Sequence, residues 1–170
     1  MLIYIGLLGI ASSEIQHKSE WKGGIIIGRY NSTKTEYKGI EFDSKTEENW
    51  YKELEKLQEK GEILNLQTQV EYLLQDGFKL NHDKAKIQDI CYLADMVFID
   101  REGLTHITDV KGSLFNIEAV FKIKWKMLKF INRDFKYHIV MQHKNIWYDI
   151  EDKEQRKAYK LATAKKKKVM

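Results

Sequence analysis

Two acids and a lysine lie close together where the chain is otherwise apolar. Asp95 falls in the apolar segment 90–99, and Asp109 and Lys111 fall in the segment 104–111. Both segments have the composition of strands, and the polar residues between them predict a turn. Because side chains two residues apart on a strand point the same way, Asp109 and Lys111 share a face.

A hairpin made of these two strands would bring the acids together. With Ile99 near Leu104, counting back along the strands places Ala94 opposite Asp109. Asp95 then lies one residue away, so both carboxylates can approach a single ion.

Two carboxylates and a lysine at one point favour metal-assisted hydrolysis of a phosphodiester. Hard oxygen ligands suit Mg²⁺, which binds through one or two carboxylates together with substrate phosphate. The metal stabilises charge on the phosphate, and a nearby lysine orients a water or helps to deprotonate it. Taken singly, Asp95 could accept hydrogen bonds from a loop, and Asp109 with Lys111 could be an ordinary ion pair.

Glu47 is a further acid, on a helix predicted from Ser44 to about Lys60. The spacing of Ser44 and Glu47 is that of a capping box, a purely structural role. Glu47 also lies at helical spacing from Trp50 and Leu54, so it projects along the core-facing edge. Because a buried carboxylate needs a partner, capping and support of a metal site remain equally open.

A second helix, predicted over 116–132, carries a lysine within its apolar face. Lys124 interrupts that face, whereas Lys122, Lys126 and Lys129 occupy the opposite, solvated side. The apolar positions are Ile117, Val120, Phe121, Met127, Leu128 and Ile131. Lys124 either extends to the surface or reaches a buried acid or a phosphate, and we favour the second role.

The net charge of +4 is unevenly distributed along the chain. Residues 44–110 carry eight bases and fourteen acids, whereas residues 111–170 carry sixteen bases and six acids. A metal-dependent nuclease needs one part that gathers carboxylates and another that meets phosphates. The lysines at 165–168 could equally be a solvated tail.

Several classes of site are excluded by composition. Cys91 is the only cysteine, so the chain has no internal disulfide and no cysteine-based zinc site, which fits a cytoplasmic location. The five histidines show no metal-ligand spacing, and none is assigned to catalysis. The apolar start of about ten residues is too short to span a bilayer, so no membrane association is expected.

The order of predicted elements indicates one α/β domain with a mixed central sheet flanked by helices. Further strands are expected near 62–66, 68–75 and 135–142. We predict an N-terminal extension over 1–27, either a strand or an arm, and a basic tail over 149–170. The domain itself is predicted to span 28–148.

These motifs resemble the PD-(D/E)XK nuclease superfamily. The likeness consists of Asp95, thirteen intervening residues, then Asp109-Val110-Lys111, preceded by a helix that bears Glu47. Further runs resemble a family of small phage-encoded proteins regarded as similar to Holliday-junction resolvases. Those runs are 28–31, 39–45, 66–69, 92–95 and 109–112.

The resemblance implies a restriction-endonuclease-like core and a Mg²⁺ site that also accepts Mn²⁺. It places metal ligation on Asp95, Asp109 and the Val110 carbonyl, with Glu47 as the helical acid and Lys111 as the catalytic lysine. Gln69 matches a glutamine near the site, and Ala94 replaces the proline of the superfamily name. Lys124 and Lys126 are expected to support the site or bind DNA.

The expected activity is hydrolysis of DNA, with branched DNA as the substrate by analogy alone. A homodimer is expected because symmetric cuts across a junction need two sites. One alternative is a restriction-type or repair-type nuclease with another DNA preference. The other is a non-catalytic DNA-binding protein on the same fold, which would have no reason to keep buried acids beside phosphates.

Overall fold

The computed structural model describes residues 33–82 and 84–164, and the predicted N-terminal extension lies outside them. In chain order the elements are β1 (Thr35–Tyr37), β2 (Ile40–Phe42), α1 (Lys45–Glu59), β3 (Ile63–Gln75), β4 (Phe78–Lys79), β5 (Lys86–Ile87), β6 (Ile90–Asp100), β7 (Thr105–Val110), α2 (Ala119–Ile131), β8 (Lys136–His143), β9 (Ile146–Asp149) and α3 (Lys153–Thr163). None of the helices in this part of the chain is long and apolar enough to cross a membrane.

Five strands form one mixed sheet in the order β3-β6-β7-β8-β9. Only β7 and β8 run parallel, because α2 carries the chain back across the sheet between them. The fold is therefore α/β with a mixed sheet flanked by helices, as predicted, and it is compatible with a restriction-endonuclease-like core. Two short hairpins, β1–β2 and β4–β5, lie beside the sheet.

Helix α1 begins and ends where its sequence predicts. The Ser44 hydroxyl accepts the Glu47 amide at 3.2 Å, which caps the first turn. At the other end Gly61 adopts φ of 67°, a left-handed conformation that favours glycine after a helix. Leu54 is 1% exposed and fixes the face of α1 that packs on the sheet.

The sheet separates two hydrophobic clusters. One contains residues of α2 and α3, among them Trp125, Leu128 and Tyr159. The other contains residues of α1 and the strand before it, among them Leu54 and Phe42. The two faces are called the α2 face and the α1 face below.

The hairpin of β6 and β7 exists, but its predicted register is wrong by one residue. Met96 pairs with Thr108 and Ile99 with Thr105. The reason lies in the turn, where the Asp100 amide donates to the Leu104 carbonyl at 3.0 Å, so that Asp100 lies opposite Leu104 and only residues 101–103 form the turn. Continuing the observed register by one pair puts Asp95, not Ala94, opposite Asp109.

The alternation of β6 changes at Asp95. Tyr92 and Ala94 pack in the cluster on the α2 face. Met96 and Phe98 pack in the cluster on the α1 face. On a regular strand these four residues would share one face, so the strand turns over at Asp95.

The neighbouring strand β3 is irregular at the same place. A single strand replaces the two predicted over 62–66 and 68–75. Thr68 pairs with Met96 and Val70 with Ala94, so the residue opposite Asp95 is Gln69. Gln69 has φ of 52°, a left-handed conformation uncommon outside glycine.

Helix α2 is shorter than predicted, and its buried face differs from the predicted one. Trp125 is 4% exposed and lies in the core, whereas Val120 is 60% exposed. Lys129 is not on a solvated side, because its ammonium contacts Glu151 at 2.6 Å. The predicted face left out Trp125, although Trp125 lies at helical spacing from Phe121 and Leu128, and the helix begins only at Ala119, after a short 3-10 turn over Leu114–Asn116.

Residues 149–164 belong to the fold rather than to a tail, and the lysines at 165–168 lie outside the described residues. The Ile150 amide donates to the Ile139 carbonyl at 2.7 Å, and Ile150 is buried. Tyr159 of α3 is 5% exposed and packs against Tyr148 with ring centroids 5.5 Å apart. The folded unit therefore extends to α3, which replaces the predicted boundary at 148.

Candidate active site

Asp109 is the most enclosed acid of the site, at 3% exposed. Its Oδ1 accepts the hydroxyl of Tyr92 at 2.5 Å. Its Oδ2 contacts the ammonium of Lys111, which the sequence places on the same strand face. Burial and the Asp109 charge raise the pKa of Tyr92, so Tyr92 is the donor in this bond.

Asp95 joins the two strands where their ladder stops. Its Oδ2 accepts the backbone amide of Val110 at 2.7 Å. Its other oxygen accepts no hydrogen bond from the described residues. Burial, followed by the charge of Asp109, raises the pKa of Asp95 well above the ordinary value. The side chain therefore replaces a strand hydrogen bond and presents one free oxygen beside a second carboxylate.

Glu47 fills the structural role that its spacing predicts. Its two carboxylate oxygens accept the Ser44 hydroxyl at 2.8 Å and the Asp43 amide at 3.1 Å, a variant of the capping box in which the amide before the N-cap residue is the donor. The same side chain interacts electrostatically with Asp95 and Lys111. Burial raises the pKa of Glu47. Capping is thus observed, and contact with a metal stays a prediction.

Within the described part of the chain, Lys111 is the one cation among these three acids. Burial alone would lower the pKa of its ammonium, but the charges of Asp109 and Asp95 outweigh burial and raise it. The ammonium also lies 4.6 Å from the ring centroid of Phe121 on α2. Lys111 is therefore held in its charged form at the edge of the site.

Gln69 lies beside Asp95 through its backbone position. Its side-chain amide donates to the Glu41 carbonyl at 3.5 Å, a long bond to the segment that leads into α1. Gln69 itself is exposed. Strained conformations of this kind cost about 1–3 kcal/mol and concentrate at functional sites. The structure brings Gln69 to the predicted place and leaves its role open.

The remaining predicted residues are not all drawn into the site. Lys124 is half-buried and Lys126 is exposed. Within residues 33–82 and 84–164 neither ammonium has a hydrogen-bond or ion-pair partner, so Lys124 does not reach a buried acid there. A phosphate as its partner stays a prediction, as does metal ligation by the Val110 carbonyl.

The carboxylates of the candidate site fit a hard divalent cation that takes only a few of its ligands from the protein. Asp95, Asp109 and Glu47 carry three potential negative charges against one lysine. Burial first, and then the charge of Asp109, raise the pKa of Asp95. In the described part of the chain no group of three or more acidic, histidine or cysteine side chains encloses a metal position. Mg²⁺ tolerates this, since it binds through one or two carboxylates and completes its shell with water and phosphate.

The sequence pattern missed the aromatic side chains beneath the acids. The ring of Tyr92 lies 5.5 Å from that of Trp125 and 6.2 Å from that of Phe121. Tyr92 has the apolar spacing of an ordinary core residue, so only its hydroxyl distinguishes it. The signal was the position of an aromatic hydroxyl three residues before Asp95 on a buried strand.

Two of the five histidines form a separate network on the α1 face. His106 and His138 are joined at 2.8 Å between ring nitrogens, and their outer nitrogens contact Asp100 at 3.0 Å and Asp149 at 2.7 Å. His106 also stacks on Phe98 with ring centroids 4.8 Å apart. Among the contacts of the described residues, this network includes none of the acids of the candidate site.

Comparison with known proteins gives one family. A family model described as a protein of unknown function, DUF1064, matches residues 27–148. The chain belongs to the DUF1064 family. The DUF1064 match includes every predicted site residue and ends before α3. No curated protein and no solved structure matches the chain.

Proposed function

We propose that this DUF1064 protein is a metal-dependent nuclease that hydrolyses phosphodiester bonds in DNA. The observation that carries the proposal is the meeting of Asp95, Asp109 and Lys111 where β6 and β7 separate. Glu47 adds a fourth charged group from α1. Acids that merely served stability would be expected to have complementary partners, whereas here acid outnumbers base.

In this proposal the acids and the lysine of the candidate site have distinct tasks. Asp95 and Asp109 would hold the cation, with Asp95 contributing the oxygen that has no partner in the described chain. Lys111 would turn from Asp109 towards the scissile phosphate and oppose its growing charge. When bound, the cation supplies charge stabilisation on the phosphate and lowers the pKa of a water.

Branched DNA is the proposed substrate class, and a homodimer is the proposed assembly. Both rest on the resemblance to resolvase-like proteins rather than on a contact in the structure. The basic composition of residues 111–170 supports a polyanionic partner. Lys126, exposed on α2, is available to contact a phosphate.

A cleavage assay with structured substrates tests the proposal. The protein is incubated with a four-way junction, a flap and a linear duplex, each with Mg²⁺, with Mn²⁺ or with chelator. We expect metal-dependent cleavage that is strongest on the junction and that Asp109→Asn abolishes. Asp76→Asn, at an exposed acid of the β3–β4 turn, is the matched control and should cleave normally.

Three outcomes would count against the proposal. Cleavage that survives chelation or Asp109→Asn would assign the activity to another site or to a contaminant. Tight DNA binding without cleavage would favour the alternative of a non-catalytic DNA-binding protein. Equal cleavage of all three substrates would leave a nuclease but remove the preference for branched DNA.

A further inference from the structure

The hydroxyl of Tyr92 makes a bond that core packing alone does not require. Tyr92 is 5% exposed, and its ring packs between β6 and α2 against Phe121 and Trp125. A phenylalanine would make the same ring contacts. The hydroxyl instead donates at 2.5 Å to Asp109, the only acceptor that it has among the described residues.

This bond decides which oxygen of Asp109 remains available. Oδ1 is tied to a ring that cannot move without disturbing the core on the α2 face. Oδ2 meets only the ammonium of Lys111, which is 23% exposed and sits on a flexible stem. A cation could therefore bind Oδ2 by displacing the Lys111 side chain, whereas Oδ1 is held by the Tyr92 hydroxyl.

We propose that Tyr92 is a positioning residue that orients the Asp109 carboxylate so that Oδ2 faces the cation. The cation is named on the strength of the proposed nuclease function, but the orienting role concerns metal binding and not cleavage. Partners that orient a metal ligand in this way commonly contribute 10–100-fold to metal affinity.

The test compares Tyr92→Phe with Tyr72→Phe. Tyr72 is the direct cross-strand partner of Tyr92 and is partly buried, but its hydroxyl has no hydrogen-bond partner in the described chain. Binding of Mn²⁺ is measured by calorimetry without DNA, and circular dichroism confirms that both variants are folded. We expect Tyr92→Phe to weaken Mn²⁺ binding about 10–100-fold and Tyr72→Phe to leave it within about twofold, a margin well below that effect.

A second measurement uses the wild-type protein and does not depend on how the variant folds. In NMR spectra the hydroxyl proton of Tyr92, identified through its contacts with the rings of Phe121 and Trp125, should be visible without metal. It should persist when Mg²⁺ is added, because Oδ1 keeps its donor. Its loss on addition of Mg²⁺ would show that the cation takes Oδ1 and would overturn the proposal.

The outcomes separate this inference from the proposed function. Weaker Mn²⁺ binding by Tyr92→Phe in a protein that cleaves no DNA would support the positioning role and remove the nuclease. DNA cleavage by the wild type together with unchanged Mn²⁺ affinity in Tyr92→Phe would support the nuclease and overturn the positioning role. A wild-type protein that binds no Mn²⁺, or equal losses in both tyrosine variants, would also overturn the positioning role.

Discussion

Removal of Lys111 should cost more stability than removal of the acid to which it is paired. In Lys111→Met the Asp109 carboxylate keeps its bond from Tyr92 but loses its only counter-ion, and its side chain is 4% exposed. In Asp109→Asn the amide can still accept from Tyr92. Lys111 then retains Asp95 and Glu47 as charge partners. Both substitutions remove the pair of Lys111 and Asp109. Lys111→Met leaves a buried carboxylate, whereas Asp109→Asn leaves a lysine that still has two carboxylates nearby.

The magnitude follows from burial. Leaving one partner of a buried ion pair uncompensated costs about 3–5 kcal/mol. Because Lys111 is 23% exposed and water can reach the vacated position, we expect about 2–4 kcal/mol for Lys111→Met. For Asp109→Asn we expect about 1 kcal/mol, the scale of one exchanged hydrogen bond. The double variant should recover at least half of the loss, since the most enclosed of the charges, that of Asp109, is then absent.

Urea unfolding followed by circular dichroism, in the presence of chelator, measures these differences. Lys129→Met is the matched control, because Lys129 pairs with Glu151 at 2.6 Å while both side chains are about a third exposed, at 33% and 29%. That pair should be worth at most about 1 kcal/mol. A loss in Lys111→Met no larger than in Lys129→Met, or a larger loss in Asp109→Asn, would refute the reasoning.

Three further predictions concern the acids and the C-terminal helix. Because burial and Asp109 raise the pKa of folded Asp95, the folded state binds the extra proton and gains stability as the pH falls. The stabilising effect of Asp95→Asn in urea titrations should therefore be largest near neutral pH and shrink towards acid, and an effect independent of pH would contradict this. Glu47→Gln should keep the capping box and stability within about 0.5 kcal/mol, whereas Ser44→Ala should lose about 1 kcal/mol. If the charge of Glu47 serves the site, cleavage will fall in Glu47→Gln alone. Tyr159→Ala should lower the free energy of unfolding, measured by thermal unfolding, by about 3 kcal/mol, because it empties a buried position. A loss below about 1 kcal/mol would show that α3 does not pack firmly on the core.

Local signals in the sequence were sufficient for the elements that depend on them. The cap at Ser44 and the left-handed Gly61 define α1 through contacts made within a few residues. The shared face of Asp109 and Lys111 follows from strand geometry alone. These features were predictable because they involve no partner distant in sequence.

Features that depend on contacts between distant parts of the chain could not be predicted from the sequence pattern. The register at Asp95 turns on one hydrogen bond at Asp100, and a shift of one residue changes every cross-strand neighbour. The left-handed conformation at position 69 could not be predicted, because the residue there is glutamine and not glycine. Tyr92 and Trp125 look like ordinary apolar residues, and only the three-dimensional packing shows that one of them donates to an acid.

The same limit applies to residues after the predicted domain. The residues after β9, which include helix α3, carry many charges, so composition suggests a solvated tail. Their burial depends on Ile150 and Tyr159, two apolar residues in a charged stretch. Single anchors of this kind give no periodic signal.

The bond from the Val110 amide to Asp95 has a kinetic consequence. Most sheet amides exchange with solvent hydrogen only when strands separate, but protection of this amide depends on a carboxylate at 2.7 Å. The next amide, of Lys111, donates to the Val140 carbonyl at 2.9 Å and has no such dependence. The ratio of the two exchange rates therefore reports whether the Asp95 side chain is in place, residue by residue and without a substrate. Any ligand that draws Asp95 away should accelerate exchange at Val110 and leave Lys111 unchanged.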